Sequence, residues 1–205
     1  MTPTRSGVRA AAQQRRAATE QAILDATEAL LEERPFWELN VEDVMATAGL
    51  GRTAFYRYFH DLESVVVRLM GALVDELHEA SSSWTSSAAE DAAGQLREAI
   101  RRFASVYRDH GRLMKAFDDA AGWSPNLKDL WGETVSTLIG PVESHVQALT
   151  AAGRVTVDHP IETIRALAVL TDSYLLDVYW AHDRVDVEQP TAVLCQIWTR
   201  TLRLG

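Results

Sequence analysis

Ten residues near the start of the sequence, LGRTAFYRYF at Leu50–Phe59, concentrate groups suited to chemistry with phosphates and bases. On a helix turning about 100° per residue, Arg52, Thr53, Tyr56 and Arg57 share one face. Phe55, Tyr58 and Phe59 gather on roughly the opposite face. A guanidinium bonds guanine O6 and N7 through two parallel hydrogen bonds, which reads a base. Threonine and tyrosine hydroxyls suit phosphate oxygens, which set register without reading sequence. Periodicity alone favours a plainer alternative, an amphipathic surface helix with no ligand.

A helix that presents such groups must be held at an angle by neighbours. A first helix is predicted from Thr19 to Glu33, with Ala22, Ile23, Ala26, Leu30 and Leu31 on its apolar face and Pro35 as its stop. A short second helix follows. Asn40 is its N-cap, Glu42 and Asp43 suit its N-terminal dipole, and Gly49 ends it. Val44, Met45, Ala48 and Leu50 can receive the apolar back of the quoted segment. Two short helices joined by a tight glycine-containing turn are the layout of a helix-turn-helix. His60-Asp61 then breaks the pattern, and Asp61 caps a long fourth helix from Leu62 to Ala80. Upstream, Met1–Ala18 carries Arg5, Arg9, Arg15 and Arg16 and no acid. This is either a solvated tail or a flexible arm that touches DNA.

Charge poses an apparent conflict. The 205 residues carry a formal net charge of -9, and phosphate binding needs positive charge. Binding responds to local charge, however, and the basic groups are local. The single cysteine, Cys195, rules out a disulfide within the chain and suits a reducing cytoplasm. No run of about 18 apolar residues predicts a membrane span, and MTPTRSGVRAAAQQRR lacks the apolar core of a secretion signal. The six histidines form no H-E-x-x-H pair, and there is no glycine-rich phosphate loop, G-x-S-x-G or zinc-type cysteine pairing. The expectation is therefore a chain that is not an enzyme, with no catalytic residue, cofactor or metal. Cys195 is expected to be a buried, inert thiol.

Helical spacing of apolar residues continues beyond the fourth helix without strand-like alternation, so the fold class expected is all-α. SSSWTSSAAE (Ser81–Glu90) reads as a loop. Helices follow at Asp91–Asp109, ended by Gly111, and at Arg112–Ala121. Another opens at Ser124-Pro125, runs to Ala152 and is kinked or broken at Gly140-Pro141. The last two are Pro160–Ala181 and Gln189–Leu204, for about nine in all. The segment IRALAVLTDSYLLDVYW is apolar nearly all round and must be buried on every side. Packing one face on the core and the other on a second subunit would satisfy it, with Leu176, Tyr179, Leu194, Ile197 and Trp198 as interface candidates. An ordinary core helix is the alternative. Phe103, Tyr107, Met114, Phe117, Trp123, Trp131, Leu138, Tyr174 and Val178 are candidate linings of a small-molecule pocket. Thr171, Asp172 and Asp177 are polar handles, and buried acids there would pair with a cationic ligand or with arginine. The same aromatic stripe also reads as plain core.

The stretch ILDATEALLEERPFWELNVEDVMATAGLGRTAFYRYFHDLESVV resembles the DNA-binding domain of the TetR family of bacterial transcriptional regulators. The match lies in Asn40 to Ala48-Gly49-Leu50, in Phe55-Tyr56-Arg57-Tyr58-Phe59 and in His60-Asp61-Leu62-Glu63, and it covers Ile23 to Val66. Within the family, LLEERPFWELNVEDV and the C-terminal QIW look most similar to EthR-like regulators. The resemblance implies three parts: an arginine-rich arm at 1–18, a helix-turn-helix domain at 19–61, and a ligand-binding and dimerisation domain at 62–205. It implies Thr47, Arg52, Thr53, Tyr56, Arg57 and Tyr58 as DNA contacts, although the helical wheel turns Tyr58 toward the core. It further implies a homodimer on a palindromic double-stranded DNA operator, with repression relieved by a small, largely apolar effector. The alternative is a helical small-molecule-binding protein or enzyme whose helix-turn-helix is non-functional. One position departs: many members carry lysine at the start of the fourth helix, where this chain has Leu62 between Asp61 and Glu63.

Overall fold

A computed structural model describes residues 5–85, 91–180 and 185–204. Among them every regular element is helical. They are α1 (Arg5–Glu33), a 3-10 turn (Phe36–Glu38), α2 (Val41–Thr47), α3 (Arg52–Phe55), α4 (Leu62–Thr85), α5 (Ala92–Trp123), α6 (Pro125–Ala151), α7 (Pro160–Tyr179) and α8 (Glu188–Leu202). The chain divides into two compact units, Met1–Met70 and Gly71–Gly205.

In the first unit, α1 packs on α2 and α2 on α3. The core is built from Ile23, Ala26 and Leu31 of α1, Val44 and Met45 of α2, and Phe55 and Phe59. Thr27 is buried without penalty because its hydroxyl donates to the Ile23 carbonyl at 2.8 Å. The division falls inside α4 rather than at its start. Val65, Val66 and Leu69 are buried, and Arg68 Nε reaches Glu20 Oε1 at 3.4 Å, so the first turns of α4 belong with the N-terminal unit. Helix α1 begins at Arg5 rather than Thr19, so residues 5–18, expected as a flexible arm, are helical. Residues 1–4 of that arm lie outside the described residues.

In the second unit, α5 packs against α6, α7 and α8, and α6 against α7. Among the described residues eight α-helices stand where about nine were expected, because α5 runs unbroken through Gly111. That glycine serves close approach instead of termination: a Cβ there would lie 2.8 Å from the Tyr179 carbonyl oxygen. Helix α6 likewise continues through Gly140-Pro141. Helix α4 extends over Ser81–Thr85, half of the expected loop; residues 86–90 lie outside the described residues. The hydroxyls of Ser81 and Ser82 are satisfied within the helix. Ser81 donates to the His78 carbonyl at 3.0 Å and Ser82 to that of Glu79 at 2.8 Å. Trp84, 2% exposed, anchors this last turn in the core.

Candidate nucleic-acid interface and ligand cavity

The helix-turn-helix is assembled by local devices. Asn40 Oδ1 accepts the Asp43 amide at 2.9 Å and caps α2. Asp43 in turn takes Arg34 at 2.6 Å, which ties the end of α1 to α2. The turn after α2 is closed by Gly49 at φ +67, a left-handed conformation that favours glycine. The Leu50 amide then donates to the Met45 carbonyl at 2.9 Å. Helix α3 is shorter than the ten residues expected and spans Arg52–Phe55 only. Turn bonds three residues apart carry it on, Arg57 N to Ala54 O at 3.2 Å and Tyr58 N to Phe55 O at 2.9 Å, and Phe59 N closes on Phe55 O at 3.0 Å.

This geometry sorts the side chains. Phe55 is fully buried and Phe59 nearly so, and their rings lie 5.9 Å apart. Arg52, Thr53, Tyr56 and Arg57 are exposed together, as is Thr47 at the end of α2. Neither Arg52 nor Arg57 is ion-paired among the described residues, whereas Arg34 and Arg68 are. Tyr58 is half-buried, and the Arg16 guanidinium sits 5.9 Å from its ring centre. Leu62 is half-buried at the start of α4. Asp61 accepts the Ser64 amide at 2.8 Å. A hydrogen bond from His60, and then the one from Ser64, hold its carboxyl below the ordinary range.

The second unit holds a partly open cavity of about 360 Å³. Helical spacing supplies its walls. Leu96, Ile100, Phe103 and Tyr107 line one stripe of α5, and Trp131, Val135, Leu138 and Val142 one stripe of α6. Helix α4 adds Leu77, Ser81 and Trp84; α7 adds Ile164, Val169, Thr171 and Asp172; α8 adds Trp198. Trp84 and Trp198 meet edge to face at 5.8 Å, and Phe103 stacks on Tyr107 at 5.6 Å. Trp198 Nε1 donates to Thr171 Oγ1 at 2.9 Å, which pairs both polar groups. The Tyr107 hydroxyl donates to Asp172 Oδ1. Burial raises the Asp172 pKa, the Tyr107 hydrogen bond opposes that, and the charge of Asp118 adds to it. Burial and then the charge of Asp172 push the Tyr107 phenol far up.

The expected pocket residues divide. Phe103, Tyr107, Trp131, Leu138 and Thr171 line the cavity. Met114 and Phe117 are buried in the core behind it, Phe117 with its ring 5.2 Å from that of Trp131. Trp123 is 75% exposed at the end of α5. Tyr174 and Val178 border a separate surface hollow with Asp177 and Trp180.

The expected interface residues divide too. Tyr179, Leu194 and Trp198 are interior to the unit, because they continue the buried stripes of α7 and α8. Leu176 and Ile197 are half-buried. Within the single chain α7 is buried along one side: Ile164, Leu167, Leu175 and Tyr179 are buried, whereas Val169, Leu170 and, just past its end, Trp180 are exposed. Val193 of α8 is exposed as well. Sequence reading missed the α4 wall of the cavity, because Ser81–Thr85 looked like a loop; the buried Trp84 within it was the available signal.

Cys195 is buried, and burial raises its thiol pKa. Among the described residues, no three histidine, cysteine or acidic side chains are grouped to hold a metal ion, and no helix is long and apolar enough to cross a membrane.

Residues 23–69 match the family model described as bacterial regulatory proteins, tetR family. The chain is 26% identical over 190 residues to the HTH-type transcriptional regulator EthR of Mycolicibacterium smegmatis, covering 89% of this chain and 85% of that one. Among solved structures, the fatty acid degradation regulator FadR from Bacillus halodurans aligns with a TM-score of 0.74 at 16% identity, covering 91% of this chain and 97% of that one. The TetR family transcriptional regulator PfmR from Thermus thermophilus aligns at 0.72 and 16% identity, covering 89% and 95%. At these identities the solved structures show a shared fold.

Proposed function

We propose that this chain, which matches the tetR family model over residues 23–69 and is 26% identical to an EthR regulator, is a DNA-binding transcriptional regulator of that family, acting as a homodimeric repressor released by a small, largely apolar effector. The observation that carries the DNA-contact assignment is the group of exposed Arg52, Thr53, Tyr56 and Arg57 on a capped helix-turn-helix, with both guanidiniums free of ion pairs among the described residues. Free guanidiniums keep their donors available for guanine or phosphate. Thr47 and Tyr58 complete the contact set, and Arg9, Arg15 and Arg16 of α1 stand in for the lysine that Leu62 replaces. Two copies would read two half-sites of a palindrome about one helical turn apart. The exposed apolar residues of α7 and α8 and just past α7, Leu170, Trp180 and Val193, mark the surface that a second subunit would cover.

The cavity is the effector site in this reading, and the setting is cytoplasmic. Its α4 wall supplies the coupling. Leu77, Ser81 and Trp84 line the cavity, and the same continuous helix starts at Leu62, just past the DNA-facing segment. An effector that prefers one placement of α4 changes the separation of the two DNA-facing segments. Effector and operator affinities then oppose each other reciprocally.

The test is binding of the protein to DNA flanking its own gene, titrated with salt and random competitor. Specific, salt-weakened binding to a palindrome is expected, and Arg57→Ala should lower affinity by about 5- to 150-fold, the equivalent of about 1–3 kcal/mol. Binding indistinguishable from competitor would refute the regulator reading, and an unchanged Arg57→Ala affinity would remove that residue's role.

A further inference from the structure

The cavity wall is mostly apolar, with hydroxyls at Ser81, Tyr107 and Thr171, and one of its residues carries a charge. Of its twenty lining residues, Asp172 alone is ionisable at neutral pH. A carboxylate moved toward apolar surroundings is destabilised unless hydrogen bonds or an opposite charge compensate it. Tyr107 supplies one neutral hydrogen bond, to one of the two carboxylate oxygens. No lysine, arginine or histidine is ion-paired with Asp172 among the described residues. The charge of Asp118 has the same sign and works against the carboxylate. Lys115, a cation on the same helix as Asp118, is engaged with Asp118 and Asp119. A fold that needed only a filled core would be better served by an apolar side chain here.

What would complete this site is a positive charge. An anionic ligand would meet repulsion from Asp172 and Asp118, and an uncharged one would leave the carboxylate as it stands. The walls suit a cation as well: Trp84, Phe103, Trp131 and Trp198 line the same cavity with aromatic rings, and such rings attract ammonium groups. We propose that the effector is an amphipathic cation, an amine on an apolar body, with its ammonium group held by Asp172 and its body in the apolar remainder of the cavity. This rests on the reading of the cavity as the effector site and narrows the ligand to one charge class. A volume of about 360 Å³ lies in the range of small-molecule sites, about 300–1,000 Å³.

Three probes with one apolar body separate the charge classes: octylamine, which is an ammonium at pH 7, 1-octanol and octanoate. Calorimetric titration into the full-length protein without DNA should rank them in that order. Octylammonium should bind at least about tenfold more tightly than octanol, as a charge-assisted hydrogen bond in a desolvated site implies. Asp172→Asn should bring octylammonium to about the octanol affinity, while the octanol affinity itself holds and reports an intact cavity. Tyr107→Phe, which removes a hydrogen bond and leaves the charge, should keep the cation preference. The proposal is overturned if octanol or octanoate binds wild type as tightly as octylammonium, if no probe binds, or if Asp172→Asn keeps the preference. Operator binding by probe-free protein is read separately. A protein that binds its operator and prefers octanoate overturns the cation site alone. One that prefers octylammonium through Asp172 and binds no operator overturns the regulator reading alone.

Discussion

Phe55→Ala isolates what holds the DNA-facing segment in place. Phe55 is fully buried, and its ring meets those of Tyr56 at 5.4 Å and Phe59 at 5.9 Å. Helix α3 spans four residues, too few to form without tertiary support, since isolated helices below about 12–15 residues are marginal in water. Burying a phenylalanine removes at least about 150 Å² from water, worth about 4 kcal/mol at 25 cal/mol per Å², and measured Phe→Ala changes in cores span about 3–5 kcal/mol. A unit of this size has about 3–10 kcal/mol of stability in total. The substitution therefore removes a large share of it. At about 4–8 °C per kcal/mol for a small domain, the melting transition of the N-terminal unit should fall by more than about 12 °C. Scanning calorimetry with far-UV circular dichroism measures this, and operator binding should be lost with it even though no DNA-facing side chain has changed. Phe55→Leu, which refills much of the volume, should recover part of both. A Phe55→Ala protein that melts within a few degrees of wild type would refute the claim that this ring anchors the segment.

Two further outcomes follow from packing and charge. Gly111→Ala would set a Cβ 2.8 Å from the Tyr179 carbonyl oxygen and 3.0 Å from Tyr179 Cβ. Backbone must then shift, at about 1–3 kcal/mol, which outweighs the helix-propensity gain of about 1 kcal/mol. The urea midpoint should fall, while Gly71→Ala, with nothing within 4 Å, should hold or raise it; equal behaviour of the two would refute the close-packing account. Asp172→Asn should raise the melting temperature of ligand-free protein at pH 7. The folded pKa of Asp172 lies above its ordinary 3.8, raised first by burial, then lowered by Tyr107 and raised by Asp118. The folded state therefore binds the proton more tightly than the unfolded chain, and wild type loses stability as pH rises from 3.8 through the folded pKa. The advantage of the asparagine variant should vanish below that window. An advantage that persists in acid would place its cause outside this carboxyl group.

Local chemistry determined much of what could be read without coordinates. The Asn40 cap, the left-handed Gly49 and the Asp61 cap act over three or four residues, so residue types alone reveal them. The same holds for the segment after Gly49. Its faces are set by helical pitch, and Arg52, Thr53, Tyr56 and Arg57 emerge exposed while Phe55 and Phe59 turn inward.

Tertiary structure decided everything that depends on a neighbour from another helix. Gly111 and Gly140-Pro141 look like helix ends, yet α5 and α6 pass through them; at Gly111 the gap filled is the one next to Tyr179. Ser81–Thr85 looks like a loop, but Trp84 found a core to bury in. Phe117 and Trp131 are equally aromatic on a helical wheel, yet only Trp131 lines the cavity. Trp198, which suits a subunit surface by sequence, bonds Thr171 inside the unit. The physical reason is the same in each case. Periodicity states which face of a helix is apolar, but whether that face meets core, cavity or solvent is set by the helices packed against it.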